Sequence, residues 1–178
     1  MKLIILILIL CFNFNLYGKT GSVTGLDIPR FVSLKSNDAN IRVGPSVNYP
    51  IKLKYVFQNL PIEIIDEFDM WRKSKDNKGN IGWVHKSLIK GERYILTEED
   101  IDLFSRPNGK IKGLVKNKNI LELKSCTLNW CKVSKDKVAG WVLKEKIWGV
   151  YENEMYNIKF YQPIINQYWR ALNSKLFD

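Results

Sequence analysis

Two cysteines, one histidine and two pairs of tryptophans are the side chains here whose types and spacing could do chemistry. Cys126 and Cys131 flank Thr127-Leu128-Asn129-Trp130, a spacer that lets two strands turn back and bring the sulfurs together. Once a leader carrying Cys11 is removed, these two are the only thiols left, and an even pair in an exported chain reads as a disulfide. So short a loop removes little chain entropy, and the expected stabilisation is about 2 kcal/mol. A metal pair is the alternative, but two sulfurs with the lone His85 far along the chain make a poor site. His85 follows Gly82-Trp83-Val84 and reads as a surface residue at a strand end. Nucleophilic catalysis would need a free thiolate beside an imidazole, and bonding the cysteines to each other removes that option. The carboxylates Glu63, Asp66, Glu67 and Asp69 would scatter over both faces of a strand as a solvated charge run. The expectation is a protein that is not an enzyme, with no metal site and no cofactor.

The tryptophans and cations point instead to binding. Trp71 and Trp130 sit beside turn signals, where core packing and ligand contact are both open. Trp83 and Trp141 each follow a glycine, Gly82 and Gly140, in a strand-like run. A missing side chain there lets a ring or backbone approach closely, so these four residues read as structural. Gly44-Pro45 reads as a structural turn, with a fixed φ beside a permissive neighbour. Aromatic faces beside Arg42, Arg72 or Lys73 would suit an extended, partly anionic peptide. The ligand-binding candidates are Arg42, Trp71, Arg72, Lys73 and Trp130. The chain carries 28 Lys and Arg against 18 Asp and Glu, a net charge of +10. Such a surface favours anionic partners such as wall polymer, acidic headgroups or nucleic acid, although a Lys- and Asn-rich composition serving solubility is the plainer account.

These residues must be positioned by strands. From Phe31 onward, short apolar or alternating runs recur between Gly, Pro, Asn and Asp clusters: Ala39 to Val43, Ile51 to Val56, Ile62 to Phe68, Trp71 to Lys75 and Ile81 to Val84. Many short strands with regular turns indicate an all-β barrel. The order then repeats. Pro61-Ile62-Glu63-Ile64-Ile65-Asp66 is matched by Asn119-Ile120-Leu121-Glu122-Leu123-Lys124, and Ile81-Gly82-Trp83-Val84 by Ala139-Gly140-Trp141-Val142. Trp71 and Trp83 are 12 residues apart, Trp130 and Trp141 are 11 apart, and corresponding positions lie 58 or 59 residues apart. An internal period of that size means two tandem copies of one small domain. Gly91 to Leu96, too apolar for a loose linker, should be a strand that holds the copies in a fixed relation.

Asn40-Ile41-Arg42-Val43-Gly44-Pro45-Ser46, then Trp71, then Gly79-Asn80-Ile81-Gly82-Trp83-Val84 resembles the bacterial Src-homology-3 (SH3) domain. The chain looks most like exported two-copy members from Gram-negative bacteria, through Pro61 to Trp71, Gly82 to Ser87 and Trp148-Gly149-Val150-Tyr151. In the second copy Leu103-Phe104-Ser105-Arg106-Pro107 stands where the Arg-x-Gly-Pro element is expected, without its Gly. The resemblance implies two tandem SH3-like barrels, 31–91 and 92–151, and a cell-wall peptide or an envelope protein as partner.

The ends complete the expected layout. Met1-Lys2 and the apolar run Leu3 to Phe12 have the form of a signal peptide, 1–18, cleaved after Gly18 or nearer Ser22 or Gly25. Cys11 follows Leu10, where lipoprotein processing requires a small residue. Residues 19–30 read as a flexible leader. In the tail, 152–178, Ile165, Tyr168, Trp169, Leu172 and Leu176 follow Pro163 at helical spacing, a stripe suited to packing on a barrel or to peripheral membrane contact. The expected function is a non-enzymatic, exported, periplasmic module for peptidoglycan or an envelope protein. The alternatives are an adaptor that uses barrel edges and the C-terminal helix, and a charge-driven binder of an anionic polymer. Export argues against nucleic acid.

Overall fold

The computed structural model describes residues 19–158. The segments expected to be a signal peptide (1–18) and a C-terminal helix lie outside them, apart from the first residues of the tail. Within them the chain is all-β. The first set of strands is β1 (Arg30–Leu34), β2 (Ala39–Arg42), β3 (Ile51–Tyr55), β4 (Pro61–Phe68), β5 (Trp71–Lys75), β6 (Ile81–His85) and β7 (Ile89–Lys90). The second is β8 (Tyr94–Thr97), β9 (Ile101–Phe104), β10 (Ile111–Val115), β11 (Ile120–Cys126), β12 (Trp130–Lys135), β13 (Val138–Leu143) and β14 (Ile147–Trp148). The sheets run β3-β2-β6-β5-β4-β1-β7 and β10-β9-β13-β12-β11-β8-β14, one strand order used twice. The segment expected to join the copies, Gly91 to Leu96, contains the start of β8, which pairs with β11 and β14 inside the second sheet.

Each sheet curls around its own apolar cluster. Period-two alternation sends Ile62 and Ile64 of β4, Ile41 of β2 and Val84 of β6 into the first, all fully buried. Ile101, Val133 and Val142 do the same in the second, beside the disulfide Cys126–Cys131. Gly82 and Gly140 are required by proximity. A Cβ on Gly82 would strike Ile41 and stand 3.0 Å from the Arg42 carbonyl oxygen, and one on Gly140 would stand 2.5 Å from Leu103 Cγ. The two glycines therefore let β2 and β9 close onto β6 and β13.

Barrels this small bury little surface alone, and the two share a seam. Trp148 of β14 meets Phe31 of β1 edge to face, centroids 5.1 Å apart, and its Nε1 donates to the Pro61 carbonyl at 3.2 Å. Tyr151 lies 4.7 Å from Phe31, and its hydroxyl donates to Glu63 at 3.1 Å. Burial, with the Glu63 charge behind it, pushes the Tyr151 phenol well above its ordinary range. Leu96 of β8 is buried in the first barrel's cluster, and Ile120 packs on it. Gly149, at φ +116°, turns the chain against the Tyr94 carbonyl with no room for a Cβ. Arg93 donates to that glycine's oxygen and to both oxygens of Glu154, all within 2.8 to 3.1 Å.

Two expectations are corrected. Residues 19–30 are not a loose leader. Thr20 bridges Asp27, Gly21 N donates to Leu26 at 2.8 Å, and Ile28 is buried in the first core. The anchor is Glu67, which accepts from Val23 N, Thr24 N, Thr24 Oγ1 and Arg30 at 2.7 to 3.1 Å. Of the four carboxylates read as a solvated run, Asp66 and Asp69 do reach the surface but Glu63 and Glu67 do not. Glu63 and Glu67 are only 6% and 5% exposed, because Lys75 and Tyr151 face the first while Arg30, Arg72 and the hairpin enclose the second.

Candidate functional site

Antiparallel register decides which candidate side chains meet. In the first barrel Arg42 of β2 faces Trp83 of β6, which faces Lys73 of β5. Residues directly opposed across a sheet share a face, with Cβ atoms about 5 Å apart. Arg42, Trp83 and Lys73 thus form one outward row, and Trp71 stands two residues before Lys73 on the same face. Trp83 is half-buried, with part of its ring at the surface.

The loop after β2 borders this row. Arg42 donates to the Tyr49 carbonyl at 2.7 Å and so ties the loop to the sheet. The loop closes on itself through Val43 N to Pro50 O and Tyr49 N to Ser46 O. The Tyr49 ring covers Gly44 so closely that a Cβ there would stand 2.7 Å from it. Gly44 is needed for that contact, while its φ lies outside the left-handed region. Val43, Val47 and Tyr49 are exposed on the same loop, an apolar border to a basic row.

Two other candidates are buried. Arg72 alternates to the opposite side of β5, is 4% exposed, and spends its guanidinium on Glu67, the Asp69 carbonyl and its neighbour's carbonyl. It is a structural cation, and its place among ligand contacts is withdrawn. Trp71 shares the row's face but is 8% exposed, packed edge to face on His85 with ring centres 5.3 Å apart. His85 ends β6, and its Nδ1 accepts from Ser87 N at 3.3 Å to close a short turn.

The second barrel repeats the face with substitutions. Phe104, Trp141 and Lys132 stand in register where Arg42, Trp83 and Lys73 stand in the first. Trp130 packs on Phe104 edge to face at 5.1 Å. Phe104 therefore takes the place of Arg42, and the loop loses the guanidinium that ties it down. Sequence reasoning set Leu103 to Pro107 against the Arg-x-Gly-Pro element and noted the missing Gly, and the cross-strand register adds that Phe104 stands in the place of Arg42.

A second concavity opens between the barrels. Tyr55 donates to Asp76 at 2.8 Å, and Asp76 also accepts from Lys78 N, Asn80 N and Asn80 Nδ2. Burial alone would raise the Asp76 carboxyl, but the bonds from Asn80 and Tyr55 outweigh it and hold it below its ordinary value. Burial and this carboxylate together raise the Tyr55 phenol. Among the described residues no group of His, Cys, Asp and Glu is arranged to hold a metal ion.

No curated protein matches the chain. Among solved structures it is similar to NlpC2 from Trichomonas vaginalis, at 10% identity and a TM-score of 0.32, over 69% of this chain and 49% of that one. NlpC1 from the same organism is similar at 11% identity and a TM-score of 0.31, over 74% of this chain and 49% of the other. The chain thus spans about half the length of either structure. The bacterial SH3 domain matches twice, at residues 35–91 and 103–149. With one strand order used twice and a Gly-Trp pair at the same register in both sheets, the chain belongs to the bacterial SH3 domain family, in two tandem copies.

Proposed function

We propose that the protein is a non-enzymatic binding module of the cell envelope, exported to the periplasm, that recognises peptidoglycan or an envelope protein through the first barrel. The observation that carries this reading is the row Arg42–Trp83–Lys73 beside the exposed Val47 and Tyr49, repeated as Phe104–Trp141–Lys132. A half-exposed indole flanked by cations suits an extended chain with carboxylates at intervals, as a wall peptide has. The buried disulfide suits an oxidising compartment. A non-catalytic role is supported by the two cysteines being bonded to each other and by His85 being engaged in a turn.

Co-sedimentation of the purified protein with peptidoglycan sacculi across a salt series tests this. Wild type should be retained at high salt, and Tyr49→Ala and Lys73→Ala should each weaken retention several-fold. Retention that vanishes by moderate salt in every variant would instead identify a charge-driven binder. An adaptor is the second reading. It is favoured by the outer strand β10, where Ile111 and Leu114 are 61% and 56% exposed, and capture of an envelope protein with no sacculus retention would establish it.

A further inference from the structure

The cleft between the barrels measures about 570 Å³ and takes its walls from both copies. Its floor is apolar, made by Leu53 and Leu60 of the first barrel with Leu96 and Ile120 of the second. At the mouth Phe57 is 62% exposed, a bare ring beside a floor that nothing among the described residues covers. The Asn77 amide donates across the gap to Glu98 of the second barrel at 3.1 Å, and the Asn80 and Asn117 side chains line the same space. Lys54 also lines the cleft, and its charge is paired with Asp38 at 3.0 Å. That leaves Lys78 and Lys118 against Asp76 and Glu98, so the cleft carries no excess charge in a strongly basic protein.

Neutrality decides the class of ligand. A polyanion gains nothing here over the rest of the surface, and a purely apolar ligand would leave the amides and carboxylates unmatched. A sugar has one face of C–H groups to lie on an aromatic ring and an edge of hydroxyls for amides and carboxylates to hold. We propose that the cleft binds a neutral saccharide chain, with Phe57 as the platform and Asn77 and Asn80 as the polar contacts. Acetamido groups, which pair with side-chain amides and place a methyl on the leucine floor, favour an N-acetylated sugar. The choice of that sugar also rests on the wall-binding reading. Among the described residues the Tyr55–Asp76 pair is not repeated, because Val115 and Lys135 stand at the second barrel's counterparts.

The test is a nitrogen–proton NMR titration of the purified protein with an N-acetylglucosamine tetramer up to about 5 mM, with a glucose tetramer and a free stem peptide in parallel. Shifts should cluster at residues 53–60, 76–80, 96–98 and 117–120, and Phe57→Ala, a change at an exposed position, should weaken binding about tenfold. Asn77→Ala should weaken it less while leaving the fold's spectrum intact. No shift with the acetylated tetramer, shifts confined to the Trp83 row, or a response unchanged by Phe57→Ala would overturn the proposal. Equal response to the glucose tetramer would retain the saccharide site and discard the acetyl preference. Sacculus retention without any cleft response would sink the cleft and leave the wall-binding reading standing; cleft response without sacculus retention would do the reverse.

Discussion

Cys126 faces Cys131 across β11 and β12 at the register where Glu67 faces Arg72 across β4 and β5. One cross-strand position is closed by a covalent bond in the second barrel and by a buried ion pair in the first. Both pairs have a second task. Glu67 receives the hairpin 19–28, and Cys126 exchanges backbone hydrogen bonds with Tyr156, at 2.8 and 3.1 Å, to hold the chain leaving the second barrel.

Replacing both cysteines with alanine should lower stability by about 2 kcal/mol, the value for so short a loop. Thermal unfolding with and without reductant checks this. Reductant should shift the wild-type transition and leave that of the double variant unmoved.

Glu67 gives the fold an acid limit. Burial alone would raise its carboxyl, but the hydrogen bonds from Arg30, Thr24 and Val23 outweigh it and hold it at about 2 against an ordinary 4.5. A depressed folded-state value contributes stability that is fully present above about 4.5 and is lost as pH falls toward about 2. Melting temperature against pH should fall over that window in wild type and flatten in Glu67→Gln, which should also be less stable at neutral pH. Hydrogen exchange at residues 20–28 should accelerate in the same variant.

Trp148→Ala should cost about 2 kcal/mol through lost packing on Phe31 and an unpaired Pro61 carbonyl. Calorimetry should show one transition in wild type and a broadened or split one in the variant. Two well-separated transitions in wild type would refute the coupling.

Gly82→Ala and Gly140→Ala should each destabilise by about 1–3 kcal/mol, since the added methyl meets Ile41 or Leu103 and a strand carbonyl. Gly113→Ala, with open space around it, serves as the neutral comparison in the same melts.

The repeat, the strands and the disulfide were legible in the sequence because they are written locally, in alternation, in Gly-Trp spacing and in cysteine parity. Trp71 to Lys75 matches β5 end for end. What was hidden depends on partners distant in sequence. Nothing near residues 19–30 predicts order, since their hydrogen-bond acceptor is Glu67, more than 40 residues away. Arg72 beside Lys73 resembles one basic patch, yet alternation sends the two to opposite faces, and the Glu67 carboxylate with the Asp69 and Trp71 carbonyls makes the buried one tolerable. The cleft was illegible for the same reason: Phe57 and Asn77 matter only once the second barrel supplies the opposite wall.

Two contacts of the seam join matching positions of the copies. By strand register Phe31 corresponds to Tyr94 and Lys90 to Trp148. Phe31 of the first copy meets Trp148 of the second, and Tyr94 of the second meets Lys90 of the first, with the ammonium 4.9 Å from the ring centre. The rest of the seam is one-sided: the first barrel's core takes in Leu96, Ile120 and Trp148 of the second, and no first-barrel residue enters the second core among the described residues. In this pair the second copy therefore helps to close the first copy's core, and the first gives the second no such cover.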